Sequence, residues 1–303
     1  MRARLLQGAL SLLGLLPVGL ARRLGRATGL LAHCLLRRQR ALSHRHLRLA
    51  FPKEDKAFVR RTARASFAGL GENLFELCAV GSSDEAVGGL VRASKEDLAP
   101  LDEALAEGRG CIVVTGHIGN WELAARALSE RGYDCAAVAR RFHDPGLGDP
   151  IEKLRSKGGV KTLARGAPGT VRDLLRQLRN GGIIFMLVDQ DTNVPSVFAP
   201  FFGKEAKTPR GPAELALRAK VALVTGFIHR DKKSKVHSMR AERLGAPCAT
   251  GDRETDVLAL TAAINGRIEE EIRAHPEDWV WFHERWRSTP EKTPDAAAVT
   301  AGS

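Results

Sequence analysis

The segment CIVVTGHIGNWELAARALSER, residues 111–131, decides the fold class. Its apolar run at 111–115 predicts a short buried strand, and glycines at 116 and 119 allow the chain to turn sharply after it. Residues 121–131 have the apolar spacing of a helix, with Asn120 as its N-cap. The same alternation predicts further strands at 135–138, 183–188 and 222–227, and helices at 56–78, 101–107, 151–157, 170–179, 214–220 and 256–273. Strands that alternate with helices predict an α/β fold with a central mixed or largely parallel sheet flanked by helices.

The chain around this segment is long enough for a large core. It has 303 residues, of which 44% are hydrophobic and 27% are charged, as in ordinary globular proteins. We predict one α/β domain over residues 51–287, preceded by an N-terminal helical segment at 1–50. Residues 288–303 are rich in Pro, Thr and Ala, and we expect them to be disordered.

The positive charge is concentrated at the N-terminus. The formal net charge is +12, yet residues 1–64 hold 15 Lys or Arg and only two acidic residues, so the remainder is nearly neutral. This asymmetry predicts an anionic partner for the N-terminal segment. A membrane surface fits better than nucleic acid, because a nucleic-acid enzyme usually spreads basic charge over its working face.

Residues 5–21 form an uncharged apolar stretch that is flanked by arginines on both sides. A secretory signal is disfavoured because arginines follow the stretch at once. A transmembrane helix is also disfavoured, because the stretch is shorter than a membrane span requires and is interrupted by Gly and Pro. We favour a helical segment, continuing through 24–36, that lies in the interface of an anionic leaflet, although a buried amphipathic helix remains an alternative. Flanking arginines then place the body on the cytoplasmic side.

Several common kinds of site are missing from the sequence. It has no GxSxG nucleophile elbow, no GxxxxGK[ST] phosphate loop, no GxGxxG after a strand and no HExxH. The five cysteines form no CxxC pair, which indicates a reducing environment, and Cys111 and Cys135 are expected to pack as small hydrophobes. His143, His229 and His283 have no mutual metal-ligand spacing, so we predict no metal site, and we predict no cofactor.

The turn after residues 111–115 carries the chemistry that remains. His117 leaves the strand end, and Glu122 lies in the first turn of the next helix, so the carboxylate could hold the imidazole across the turn. Such a pair leaves one ring nitrogen free as a general base for a hydroxyl that attacks an acyl carbonyl. Helix N-terminal N–H groups could then stabilise the oxyanion. The alternative is structural, with His117 capping a turn and Glu122 placed favourably at a helix start.

At these residues the sequence resembles the late acyltransferases of lipid A biosynthesis, a branch of the lysophospholipid acyltransferase superfamily. Residues 117–122 match the family's HxGNWE form. Other motifs of the family follow in the family's order: VAR at 138–140 with Asp144-Pro145, DQD at 189–191, VFAPFFG at 197–203 and WVWFHERW at 279–286. The family's N-terminal motif corresponds to residues 40–52. The sequence departs from the pattern at Asp144 and His46, where Asn is usual.

The resemblance implies a glycerolipid-acyltransferase-like fold and a membrane-bound enzyme on the cytoplasmic face of the inner membrane. It implies an acyl-carrier-protein or coenzyme A thioester as donor and a glycolipid hydroxyl as acceptor, with no cofactor. By this carry-over His117 is the base and Glu122 its partner, and Arg140 contacts an anionic group or the oxyanion. The remaining substrate-binding candidates are Gly119, Asn120, Asp189 and Asp191. The alternatives are a surface ion pair for Arg140 and a structural cap for Asp189 and Asp191. The PFFG block and the Trp-rich end would line an acyl groove or, alternatively, pack in the core.

Three other functions stay open at this stage. The same transfer could use another acceptor, such as a lysophospholipid, a glycosylated phosphoinositide or an ornithine-type lipid. A non-catalytic membrane-binding protein could keep the fold, although the presence of both His117 and Glu122 argues against it. Nucleic-acid binding rests on the basic isoelectric point alone.

Overall fold

A computed structural model of the chain describes residues 12–82, 87–140, 152, 155–245 and 250–290. Within these residues the helices are α1 (Val18–Leu35), α2 (Arg37–Ala50), α3 (Lys56–Ser82), α4 (Lys95–Ala106), α5 (Trp121–Glu130), α6 (Thr170–Arg179), α7 (Gly211–Ala219) and α8 (Arg253–Ala274). The first eleven residues, the Asp144-Pro145 pair and residues 151, 153 and 154 of the helix expected at 151–157 lie outside the described residues, while residues 152 and 155–157 are helical as predicted. Most of the C-terminal tail for which disorder is expected also lies outside the described residues.

The strands form one large sheet and one hairpin. They are β1 (Val91–Arg92), β2 (Cys111–Thr115), β3 (Cys135–Ala139), β4 (Lys161–Ala164), β5 (Ile183–Leu187), β6 (Ser196–Phe201), β7 (Lys204–Pro209), β8 (Ala222–Arg230) and β9 (His237–Arg243). The sheet has the order β1-β9-β8-β2-β5-β3-β4, and every pair in it is parallel except β8 with β9. The predicted α/β fold with a largely parallel sheet flanked by helices is confirmed.

The core lies on both faces of this sheet, and β2 shows why. All five of its residues are buried, and alternate side chains point to opposite faces. Ile112 and Val114 pack in a cluster with α3, α6, α7 and α8, while Cys111 and Val113 pack in a second cluster with α4 and α5. Helices cover both faces, as parallel sheets require. Cys111 and Cys135 are buried and free, as expected for small apolar side chains.

The Trp-rich C-terminal segment belongs to the core. Trp279 and Trp281 are fully buried, and their rings pack edge to face at 4.6 Å between centroids. Phe201, at the end of β6, packs against Trp279 at 5.9 Å. Of the two alternatives for these aromatic motifs, core packing describes Phe201, Trp279 and Trp281.

His46 links the N-terminal part to the same segment. Its imidazole is buried on α2, and Nδ1 lies 3.0 Å from the carbonyl oxygen of Trp281. Burial lowers the pKa of His46 to about 4, so the ring is neutral and Nδ1–H donates to that carbonyl. His46, one of the two departures from the motif pattern noted above, thus has a structural contact.

Helix α1 packs on α3 through glycines. Ala21, Gly25 and Gly29 form the buried face of α1. A Cβ atom at Gly71 on α3 would overlap the backbone carbonyl of Gly25, so the two backbones are closer than any larger residue allows. This contact places α1 firmly against the body and leaves its other face outside.

The outer face of α1 is apolar. Leu20, Leu24, Leu31 and Leu35 lie on one side of the helix and are 42–68% exposed. Among the described residues, no helix has both the length and the apolar character needed to cross a bilayer.

We predict that Gly71→Ala lowers the free energy of unfolding by about 1–3 kcal/mol, because overpacking forces α1 and α3 apart. The measurement is chemical denaturation in detergent. Gly69→Ala is the matched control on the same helix, since a Cβ there meets nothing within 4 Å. It should leave stability unchanged or raise it, by up to about 1 kcal/mol. Equal stability of the two variants would contradict the close glycine contact.

Candidate active site

Sheet register brings a histidine and an aspartate together. Strands β2 and β5 are parallel neighbours, and Thr115 pairs with Leu187 at their carboxyl ends. Two residues beyond each of these positions stand His117 and Asp189. The Nδ1 atom of His117 lies 2.7 Å from Oδ1 of Asp189. Because active sites of open α/β sheets form at the carboxyl ends of strands, this pair occupies the expected edge.

The Asp189 carboxylate is buried and fully bonded. Its Oδ2 accepts from the backbone N–H of His117 at 2.6 Å and from the indole Nε1–H of Trp279 at 2.7 Å. Burial alone would raise the pKa of Asp189, but the charge and hydrogen bond of His117 hold this pKa well below its usual range. An ionised carboxylate only accepts hydrogen bonds, so Nδ1 of His117 carries the proton and Nε2 is left as the basic nitrogen.

The two glycines of the turn are required by close contacts. A Cβ atom at Gly116 would come within 2.9 Å of Oδ2 of Asp189. Gly119 has φ +59°, and a Cβ there would overlap the carbonyl oxygen of Ile228 on β8. Gly119 also donates its backbone N–H to Asp278 at 3.0 Å, which ties the turn to the C-terminal segment. The turn is therefore enclosed on several sides, and only glycine fits at these two positions.

The free side of the His117 ring faces Gln190 and His283. The amide Nε2 of Gln190 lies 3.2 Å from Nε2 of His117 and 3.0 Å from Nδ1 of His283. The rings of His117 and His283 are 4.7 Å apart between centroids. Burial and the nearby His117 lower the pKa of His283 to about 3, so His283 is neutral. The basic nitrogen thus faces a neutral polar pair with which an incoming hydroxyl would compete.

The expected contact between His117 and Glu122 is not formed. Both carboxylate oxygens of Glu122 accept from the guanidinium of Arg155, Oε2 from Nε at 2.8 Å and Oε1 from Nη2. Burial works against the charge of Arg155, but the bonds from Glu122 raise the pKa of that guanidinium. The five-residue offset places the two side chains on one turn, yet Glu122 pairs with the partly buried Arg155 and His117 pairs with Asp189.

A cavity of about 560 Å³ opens beside this pair. Gln190 and His283 form the wall toward His117, and Arg140, Arg165 and Arg287 form another part of the lining. Arg287 contacts Asp191 at 3.2 Å. Within the described part of the chain, Arg140 and Arg165 have no carboxylate partner. Burial and the charge of Arg140 lower the pKa of Arg165, as expected for neighbouring guanidinium groups without a counter-charge.

The other predicted residues divide between the cavity and the interior. Asp191 lines the cavity but is buried, with Oδ2 accepting from the backbone N–H of Ser288 at 2.7 Å. Asn120 is the N-cap of α5, as predicted, with Oδ1 accepting from the N–H of Leu123 at 3.4 Å. Its amide nitrogen points inward to Glu76 at 2.9 Å. Substrate binding by Gly119, Asn120, Asp189 and Asp191 remains a prediction.

Sequence reasoning missed several residues of this site. Gln190, Trp279 and His283 were within quoted motifs but had no assigned contact with His117. The signal for Asp189 was available, because its strand was predicted and its position matches that of His117. The sequence pattern does not give the strand order, so it does not show that β5 lies next to β2. Arg165 stands in no motif, and nothing in the sequence marked it.

One group of described side chains has the spacing of a metal site, namely His229, His275 and Asp278, with ligand atoms within 4.8 Å of one another. Both ring nitrogens of His229 are already bonded, Nδ1 to Asp278 at 2.7 Å and Nε2 to Glu271 at 2.6 Å. Burial would lower the pKa of His229, but these two carboxylates raise it to about 9. The group is therefore best described as an imidazolium held between two carboxylates.

Comparison with known proteins identifies the family of this chain. Residues 3–288 match the family model for bacterial lipid A biosynthesis acyltransferases. The chain is similar to a phosphatidylinositol mannoside acyltransferase of Mycobacterium tuberculosis (strain CDC 1551 / Oshkosh), with 30% identity over 191 residues, or 61% of this chain and 57% of that protein. This match spans little more than half of the mycobacterial relative.

Two relatives from Escherichia coli (strain K12) match over most of their length. A lipid A biosynthesis palmitoleoyltransferase is 26% identical over 274 residues, covering 88% of this chain and 85% of that protein. A lipid A biosynthesis lauroyltransferase is 25% identical over 308 residues, covering 95% of this chain and 92% of that protein.

Proposed function

The chain belongs to the bacterial lipid A biosynthesis acyltransferase family, and we propose that it transfers a fatty acyl group from a thioester to a hydroxyl of a membrane lipid. This proposal rests on His117, which a buried carboxylate holds at a strand end beside a cavity lined by Arg140 and Arg165, two arginines with no carboxylate partner among the described residues. The side chains that contact His117 in the described part of the chain carry no hydroxyl or thiol, so the proposed nucleophile is a hydroxyl of the substrate.

In the proposed reaction the acceptor hydroxyl displaces the Gln190 amide and approaches Nε2 of His117. His117 takes the hydroxyl proton while the oxygen attacks the thioester carbonyl and a C–O bond forms. The tetrahedral intermediate collapses, the C–S bond breaks, and His117 returns the proton to the departing sulfur. Atoms and charge balance without a cofactor. N–H groups at the start of α5 and the guanidinium of Arg140 are the candidate donors to the transient oxyanion.

Asp189 is the proposed partner of the base. Its carboxylate fixes the tautomer that exposes Nε2, and it stabilises the imidazolium that forms during transfer. Its three hydrogen bonds hold it in one orientation. Glu122 is assigned a different role, to hold Arg155 against the first turn of α5. The His117–Glu122 dyad of the sequence pattern is thus replaced by a His117–Asp189 pair as the catalytic unit.

Arg140 and Arg165 are proposed to bind an anionic group of the acceptor. Two neighbouring guanidinium groups without a counter-charge attract phosphate or carboxylate, and arginine binds either with two parallel hydrogen bonds. The Escherichia coli relatives are named for lipid A and the mycobacterial relative for a phosphatidylinositol mannoside. A lipid A precursor is our first candidate, and a glycosylated phosphoinositide is the second because of the 30% identity to that relative. The proposed donor is an acyl-carrier-protein thioester or the coenzyme A equivalent.

We expect α1 to hold the protein at the cytoplasmic face of the inner membrane. Its leucine stripe (Leu20, Leu24, Leu31 and Leu35) is exposed, and exposed arginines accompany it at 23, 37, 38, 45 and 48. Apolar side chains that enter the headgroup region, with basic residues beside them, bind an anionic leaflet without spanning it. This arrangement agrees with an interfacial position of the N-terminal segment.

The proposal is tested by product analysis. Detergent-solubilised protein is incubated with acyl-carrier-protein or coenzyme A thioesters and with a panel of acceptors: a tetra-acyl lipid A precursor, lysophospholipids and mannosylated phosphoinositide. We expect mass spectrometry to show a gain of one acyl group on the lipid A precursor, and no gain with His117→Ala that retains the wild-type melting temperature. A mass gain on another acceptor would show that the substrate is not a lipid A precursor. A mass gain that persists in His117→Ala would show that His117 is not the base.

The membrane proposal predicts that Leu24→Ser/Leu31→Ser/Leu35→Ser lowers the partition coefficient onto anionic vesicles at least about tenfold, since each buried leucine contributes roughly 1.5–3 kcal/mol. The measurement is co-sedimentation with vesicles of phosphatidylglycerol and phosphatidylethanolamine. Val171→Ser/Leu258→Ser is the control, because these exposed apolar residues lie on other helices. If the triple variant binds the vesicles as wild type does, the leucine stripe of α1 is not the membrane anchor.

A further inference from the structure

Helix α1 also contributes to a buried polar cluster beneath the catalytic turn. The centre of this cluster is Glu76 on α3, whose side chain is completely buried. Its Oε1 accepts from Nε of Arg22 on α1 at 2.8 Å. Its Oε2 accepts from Nη2 of Arg230 on β8 at 2.7 Å and from the amide of Asn120 at 2.9 Å. His237 on β9 completes the cluster at 2.9 Å.

The charge of this carboxylate is maintained by its partners. Burial would raise the pKa of Glu76, but the hydrogen bond of His237 and the charges of Arg230 and Arg22 bring this pKa well below its usual range. A buried ionised group that loses one partner leaves charge uncompensated, which is strongly unfavourable. Arg22 and Arg230 are therefore both needed to compensate the charge of Glu76.

The cluster holds the catalytic turn at two adjacent residues. Asn120 is the N-cap of α5, and its amide group is oriented by Glu76 on one side and by the α5 backbone on the other. Asn73, three residues before Glu76, donates to the carbonyl oxygen of Gly119 at 2.7 Å. Gly119 and Asn120 follow His117 by two and three residues, so the cluster fixes the path of the chain that leaves the base.

We propose that Glu76 is a positioning residue for the catalytic turn, and that Arg22 makes α1 part of this positioning unit in addition to its contact with the membrane. This inference rests on the proposed acyl transfer for its kinetic readout only. The outer face of α1 then presents leucines to the membrane. Its inner face contacts Glu76 through Arg22, and Glu76 contacts the turn that carries His117. Association with the membrane and order in the active site become linked through a single rigid element.

The pair Arg22 and Arg26 offers a matched test on one helix. Arg22 is 12% exposed and bonds the buried Glu76, whereas Arg26, one turn later, is 59% exposed and bonds Glu72. Both changes to Met remove one positive charge from α1. The Arg22 change takes a partner from the completely buried Glu76, whereas after the Arg26 change Glu72 keeps its ion pair with Arg230. Only the Arg22 change should therefore disturb the turn.

Two measurements on full-length protein in detergent decide the question. In hydrogen–deuterium exchange, Arg22→Met and Glu76→Gln should increase the exchange rate in peptides covering 117–124 at least tenfold, with no change in peptides covering 170–179. In acyl-transfer kinetics the same variants should lower kcat about 10- to 100-fold with KM within threefold, and Arg22→Lys should recover part of the loss. Arg26→Met should match wild type in both.

The outcomes separate the two claims. Wild-type exchange at 117–124 in folded Arg22→Met and Glu76→Gln, or equal effects of Arg22→Met and Arg26→Met, would overturn the positioning role. If wild type transfers no acyl group to any acceptor, the proposed function fails, while the exchange data still decide whether Glu76 and Arg22 order the turn. If Glu76→Gln does not fold, the Arg22 and Arg26 pair gives the answer.

Discussion

Parallel pairing of β2 with β5 in one fixed register is the constraint on which the site depends. The register aligns Thr115 with Leu187, and the residues two positions later, His117 and Asp189, meet at 2.7 Å. A shift of one residue would turn one of the two side chains to the other face of the sheet. The register is held because both strands are buried on both faces and carry the central side chains of the core. Core packing and site geometry are thus one requirement.

The remaining parts of the site come from distant segments that bury polar groups around this pair. Trp279 donates to Asp189 from the C-terminal segment, and Asp278 accepts from the turn at Gly119. Glu76 holds the far side of the same turn from α3. A buried carboxylate keeps its charge only with such partners, so each segment is required for the electrostatics of the site as well as for its shape. The result is an oriented His117 imidazole beside an open, basic cavity.

The sequence predicts the fold class and the position of His117 well, because both depend on local patterns. The strands around 111–115, 183–187 and 222–227 are continuous apolar runs, and Asn120 is a clear N-cap. The hairpin β6–β7 and strand β9 escaped prediction, since β6 contains a proline and β9 is largely polar. Spacing along the chain favours Glu122 as the partner of His117, whereas in the structure strand order brings Asp189 to His117 and the partly buried Arg155 contacts Glu122.

We propose that Asp189, and not Glu122, orients His117 as the base. The most direct measurement is kcat for acyl transfer by Asp189→Asn and Glu122→Gln, two changes that each remove one carboxylate charge and keep its size. We expect Asp189→Asn to lower kcat about 10²- to 10⁴-fold, because the Asn amide no longer fixes the tautomer of His117. Glu122 contacts Arg155 and not His117, so Glu122→Gln should lower kcat less than about tenfold. A larger loss with Glu122→Gln, with Asp189→Asn folded and near wild type, would contradict this proposal.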